Sequence, residues 1–260
     1  MGKQIDFQKY LEDYVENLGN DLKIRWNSWE KNLDEVEIYE VIGGLMARQV
    51  SIANEFSRSA NLWNPNIAPI LLRSMIDNYL NFCWIILQPL ERSQKFIYFG
   101  LGQDKIQMSH RKLFQENNPS EENQLVIDSI ESWINSQNYE FLTTVNVGSW
   151  SEKSVREMAT ETNELELYNY VYQPFSNVAH NSWSHIGKYN LDVSDNPFHR
   201  FTKVPAIYKY KYDFYYMDLA MKYVDMMFLK FDSTFEVEIA EISAVEKFYE
   251  EIDKLNAKQA

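Results

Sequence analysis

Tyr172, Ser176 and His180 recur at intervals of four in YQPFSNVAHNSWSHI, residues 172–186. On a continuous helix that interval puts all three side chains on one face, with Ser184 extending the ridge. A histidine so placed can take or give a proton near neutral pH, because imidazole titrates close to that range. Ser176 and Asn177 beside it can orient the imidazole or a substrate oxygen. His185 follows five residues later, about 140° round the same helix if the helix continues. The two histidines are therefore not expected to share a metal ion, and His185 takes second place. The bland alternative is that His180 and Ser176 simply bond to neighbours on a half-buried face.

A second group sits in IAPILLRSMIDNYLNFCWIIL, residues 67–87, where Arg73, Asp77 and Asn78 interrupt an apolar run. Charged residues are seldom buried unless paired. Arg73 and Asp77, four apart, can form an internal salt bridge that orders the fold. The sharper reading has Arg73 offering its planar fork to a phosphate. Both hold together if Asp77 positions Arg73.

A third feature runs against the overall charge. No acid lies between Asp195 and Asp213, while Arg200, Lys203, Lys209 and Lys211 are basic and His199 adds to them. In YKYKY, lysine alternates with Tyr208, Tyr210 and Tyr212, a composition suited to backbone phosphates and stacked bases. Tyr215, Tyr216 and Tyr223 read instead as core filler.

The elements that must position these groups are helical. Apolar periodicity predicts helices over 5–31, 34–62, 66–88 and 89–116, then from Ser120, a plausible N-cap, to about 137. The small-residue segment IGGLMA in the second offers close approach to a neighbour. The third is apolar on most of its surface and belongs at the centre of a bundle. Residues 138–150 read as irregular and 151–162 as a short helix. Asn163 and Glu166 suggest a cap for the helix carrying His180, with a kink or late start at Pro174. Two last helices are expected over 206–230 and 237–256. The expected fold is all-α, a single multi-helix bundle over residues 1–260. Its core spans about 34–230, with helices 5–31 and 237–256 packed outside.

Composition narrows the function classes. Eight glycines and seven prolines in 260 residues are too few for an all-β fold rich in turns. Twenty-five basic against 38 acidic side chains give a net charge of −13, opposite in sign to a general nucleic-acid binder. A local basic site is still compatible with that balance. Cys83 is the one cysteine, so no disulfide forms within the chain, which fits a reducing cytoplasm. The first residues lack the apolar core of a signal peptide. The most apolar stretch carries Arg73 and Asp77, unlike a membrane span. These features predict a soluble cytoplasmic protein with no membrane contact. Glycine-rich phosphate loops, CxxC pairs, HExxH and GxSxG are missing from the sequence. No metal and no cofactor is expected.

RSMIDNYLNFCWI and YQPFSNVAHNSW resemble an uncharacterised bacterial helical family. One of its helices carries an arginine and, four residues on, an acid; a later one carries Tyr-x3-Ser-x3-His. The resemblance covers roughly residues 45–190. Asp77 departs from the family's usual glutamate. More distantly the pattern is similar to the HEPN (higher eukaryotes and prokaryotes nucleotide-binding) superfamily of helical bundles. Those proteins are often dimeric and occur in toxin–antitoxin, phage-defence and CRISPR-associated systems. Many are metal-independent ribonucleases with Arg-x4–6-His on one helix, and that motif is missing here. Arg73 or a partner chain would have to supply the arginine.

The resemblance implies a HEPN-like defence or toxin protein acting on RNA or a nucleotide, as a metal-independent endoribonuclease. It implies a homodimer, with an antitoxin or another defence-system protein as partner. His180, Arg73 and Ser176 would be catalytic, supported by Asp77, Asn78, Tyr172, Asn177 and His185. Arg200, Lys203, Lys209 and Lys211 would bind substrate. The alternative is a non-catalytic binding protein on the same bundle.

Overall fold

In the computed structural model, which describes residues 7–137, 149–199 and 202–259, most of the described residues are helical. The first five α-helices are α1 (Phe7–Ser28), α2 (Val36–Ser57), α3 (Ala68–Ile85), α4 (Pro89–Asn117) and α5 (Glu121–Ser136). α6 (Val155–Glu161) precedes a continuous helical segment of three parts. These are α7 (Leu165–Leu167), a π turn (Tyr168–Tyr172) and α8 (Gln173–Ala179). α9 (Trp183–Tyr189), α10 (Tyr215–Phe235) and α11 (Ala244–Gln259) complete the set. The fold is all-α apart from one small ribbon. In it β1 (Leu191–Val193) and β2 (Lys203–Pro205) pair antiparallel, with Asp192 opposite Val204.

α3 is the central element, as its all-round apolarity predicts. Leu72, Met75, Ile76, Leu80, Phe82 and Cys83 are fully buried, and α2, α6, α8 and α10 pack around it. Burial pushes the Cys83 thiol up to about 12, which removes it as a nucleophile. The core is wider than the expected span of 34–230. Leu11, Tyr14 and Leu18 of α1, with Ala244 and Phe248 of α11, are buried in the same apolar cluster. α1 is bound to α10 by Arg25, whose Nε and Nη2 donate to the Asp232 carboxylate at 2.9 and 2.7 Å. Gly43 of IGGLMA does serve close approach: a Cβ there would lie 2.6 Å from the Trp26 ring of α1.

Local signals explain most helix ends. Ser120 caps α5 as expected, accepting from the Asn123 N–H at 3.1 Å. Ser154 and Glu157 form a capping box at the start of α6. Asn163 does not cap the next helix. It adopts φ 61° and ends α6, while the Glu164 N–H reaches back to Ala159 O at 2.7 Å. That is a Schellman closure, in which asparagine tolerates the left-handed position. α10 begins at Tyr215 rather than 206, and residues 206–213 between the ribbon and α10 take no regular secondary structure. The expectation of irregular structure over 138–148 lies outside the described residues.

Candidate functional site

Arg73 stands on the side of α3 that meets α8, and the Tyr-x3-Ser ridge of the later helix comes to it. Its Nε donates to Ser176 Oγ at 3.0 Å and its Nη2 to the Tyr172 hydroxyl at 2.6 Å. Nη2 also lies 3.5 Å from Asp77 Oδ2, and the guanidinium sits 4.9 Å from the Tyr172 ring centroid. Burial raises the Asp77 carboxyl above its usual range. Arg73, the Tyr172 hydroxyl and His180, each favouring the carboxylate, offset this in part. Burial, then the charge of Asp77, raises the Tyr172 phenol. The phenol is therefore neutral at physiological pH, accepting from Arg73 with its own proton available to Asp77.

The backbone explains how the ridge reaches α3. Pro174 has no N–H to continue the α-helical ladder. The helix widens instead, and the Gln173 N–H bonds to Tyr168 O, five residues back. A π turn thus replaces the expected kink. Tyr172 ends the turn, Ser176 and His180 follow it, and Tyr172 and Ser176 both reach Arg73. Tyr168 stacks on Tyr172, with ring centroids 5.2 Å apart. α8 then stops at His180. Asn181 takes φ 52°, and the Ser182 N–H closes on Asn177 O at 2.9 Å, a second Schellman ending on asparagine. His180 is left exposed at the rim of the network, near enough to Asp77 to favour its charged form.

The same break corrects the expected relation of the two histidines. His185 lies on α9, a separate helix, and not 140° round a continuous one. It is buried, its Nε2 lies 3.1 Å from Asn66 Oδ1, and its ring stacks on Tyr189 at 4.8 Å. Burial lowers its pKa. His185 is thus outside the Arg73 network. So is Asn78, which turns into the core and donates from Nδ2 to Leu45 O and Gln49 Oε1, both at 2.8 Å. Gln49 passes the link to Tyr223 O on α10. Among the described residues no three of His, Cys, Asp and Glu converge as metal ligands. No helix among them is long and apolar enough to cross a membrane.

The profile of a family of unknown function, DUF5677, matches residues 39–198, more than half of the 260-residue chain. The chain belongs to the DUF5677 family. No curated protein and no solved structure matches it. The DUF5677 region holds every member of the Arg73 network, from Arg73 to His180. It excludes α1, α10, α11 and the lysines at 203, 209 and 211.

Those lysines do not approach Arg73 by any contact among the described residues. Lys203 is on β2 and its Nζ donates to Gly187 O at 3.0 Å. Lys209 and Lys211 are exposed on the segment between β2 and α10. That segment is pinned to α9 by the Tyr210 hydroxyl, which donates to Tyr189 O at 3.3 Å, to β1 by the Tyr208 hydroxyl on Leu191 O at 3.4 Å, and to Trp63, between α2 and α3, by the Asp213 N–H on Trp63 O at 2.9 Å. Arg200 lies outside the described residues. The basic run therefore borders α9 rather than the guanidinium.

Between them lies a feature that sequence reasoning missed, a cavity of about 290 Å³. Pro174, Phe175, Asn177 and Val178 of α8 line it with Ser184, His185, Lys188 and Tyr189 of α9, and Tyr216, Pro65 and Pro69 complete the lining. Its walls come from three segments far apart in the chain, so no local spacing announces it.

Proposed function

We propose that this chain is a HEPN-like helical protein of bacterial defence or toxin biology that cuts RNA without a metal. The Arg73–Asp77–Tyr172–Ser176–His180 cluster is its site. One observation carries the reading: Arg73, from a helix about 100 residues earlier, sits on the Tyr172–Ser176 face of the helix that ends at His180. It thereby supplies the cation that the histidine's own helix lacks. Among the described residues Nη1 makes no hydrogen bond, which leaves a donor on the fork for an anion.

In this reading His180 removes the proton of an RNA 2′-hydroxyl. The freed oxygen bonds to the adjacent phosphorus while the bond to the 5′-oxygen breaks, and water returns a proton to that oxygen. The products are a 2′,3′-cyclic phosphate and a 5′-hydroxyl. Arg73 stabilises the charge that grows on the non-bridging oxygens. Tyr172, Ser176 and Asp77 hold the guanidinium in place. Lys203, Lys209 and Lys211, with exposed Trp183, Phe198 and Tyr212 and with Tyr215, which is exposed rather than the expected core filler, guide the strand by charge and stacking. Arg200 belongs to the same run. The protein works in the cytoplasm as a homodimer, with an antitoxin or another defence-system protein as partner.

A second reading has its own observation. Nε and Nη2 of Arg73 are already taken by the protein, as in a polar lock that fastens α8 to α3 in a non-catalytic binding protein. The two separate on purified protein incubated with single-stranded RNA in EDTA. The ribonuclease gives cyclic-phosphate ends, and Arg73→Lys, which keeps charge but loses the fork, cuts at least tenfold more slowly. The polar lock leaves RNA intact and shows Arg73→Lys only as a shift in melting.

A further inference from the structure

The cavity beside α8 has a composition that the Arg73 network does not use. Its lining includes flat faces from Phe175, Tyr189 and Tyr216, and the amide of Asn177. At about 290 Å³ it is at the small end of ligand sites, which start near ~300 Å³. That size suits one ring system and not a whole dinucleotide. It is also preformed. Asn66 fixes His185 through Nε2 at 3.1 Å, and His185 fixes the Tyr189 ring by stacking at 4.8 Å. A rigid wall of this kind costs a ligand little ordering entropy.

Position adds the rest. Ser176, which holds Arg73, and Asn177, which lines the cavity, are consecutive residues of α8. A base lies one sugar away from its phosphate, so neighbouring residues of α8 suit the two parts of one nucleotide. The rim carries Lys188, and the exposed Lys209 and Lys211 lie on the segment tied to Tyr189. A carboxamide offers a donor and an acceptor side by side, the pair that reads the edge of a base.

We propose that this cavity is a nucleobase pocket, in which Asn177 reads the edge of one base of the strand bound at Arg73 and His180. The proposal rests on the RNA reading for the identity of the ring. The test is saturation-transfer NMR with adenosine, guanosine, cytidine and uridine, which lack the phosphate and so ignore Arg73. At least one nucleoside is expected to show transfer to its base protons. Asn177→Ala should weaken it about tenfold, and Ser184→Trp, which fills the space, should abolish it; melting curves confirm that both variants fold. No transfer from any nucleoside to the wild-type protein overturns the proposal. So does transfer that survives both substitutions. RNA incubation is scored separately. Nucleoside binding with intact RNA keeps the pocket and removes the ribonuclease, whereas cleavage without nucleoside binding does the reverse.

Discussion

Tyr172 is the residue on which the network turns, because its hydroxyl meets both Arg73 and Asp77. Tyr172→Phe keeps the ring and its contact with the guanidinium while leaving Arg73 one acceptor short. Unfolding in urea should show a loss of about 1.5–3 kcal/mol, the net worth of a hydrogen bond to a charged group, with the slope of the transition unchanged. His185 makes a pH prediction of opposite origin. Burial lowers its folded pKa below the usual histidine value, so the folded state resists its protonation. Its stability contribution is complete above about pH 6.5 and drains away as pH falls through the lowered pKa. The wild-type melting temperature should therefore fall between pH 7 and 5, and His185→Gln should flatten that fall. A slope unchanged by the substitution would show that another group titrates there. The pairing of Arg73 with Asp77, and the common face of Tyr172 and Ser176, were legible from intervals of four. The inward turn of Asn78 was not, since its partners Leu45 and Gln49 come from another helix and no spacing within α3 points to them.

Helix ends separate what local sequence dictates from what the fold imposes. Ser120 and the Ser154–Glu157 box act through their immediate neighbours, and residue types of that kind declare a helix start. Asn163 and Asn181 are equally local, yet asparagine serves at either end of a helix. The left-handed backbone at both positions decides for the C-terminal role. The π turn was legible only as a disturbance at Pro174. The turn packs against α3, where Tyr172 meets Arg73, and that contact is tertiary. Glycine gives the test at this scale. Gly44 and Gly100 meet nothing within 4 Å where a Cβ would stand, whereas Gly43 faces the Trp26 ring. Gly44→Ala and Gly100→Ala should each stabilise the protein by about 0.5–1 kcal/mol. Gly43→Ala should give no such gain, because Trp26 must move. Chemical denaturation of the three variants decides it, and equal gains at all three would contradict the close approach of α1 and α2.

For the whole molecule, the matched family region and the folding unit do not coincide. Residues 39–198 contain α3 and α8 but not α10, whose Met217, Met221, Val224 and Phe231 are fully buried in the common core. A fragment of residues 39–198 should give a collapsed NMR spectrum without dispersed methyl resonances, and the full chain a dispersed one. A well-dispersed fragment would show that α1, α10 and α11 are additions to a self-sufficient core. The all-α architecture was legible because apolar periodicity and scarce turn residues agree along the chain. The β1–β2 ribbon and the late start of α10 were not, for the ribbon pairs residues ten or more apart in the chain and the segment before α10 is anchored to distant backbone through Tyr210 and Asp213. The proposed function also depends on the assembled molecule, since Arg73 meets Tyr172 and Ser176 only after α8 docks on α3. The most direct test is therefore cleavage of a single-stranded RNA by the full chain in EDTA, comparing wild type with His180→Ala. The predicted result is cyclic-phosphate products from the wild type and a rate at least 100-fold lower in the variant, the usual scale of general-base loss. Intact RNA with the wild type, or equal cleavage by both proteins, would contradict the account.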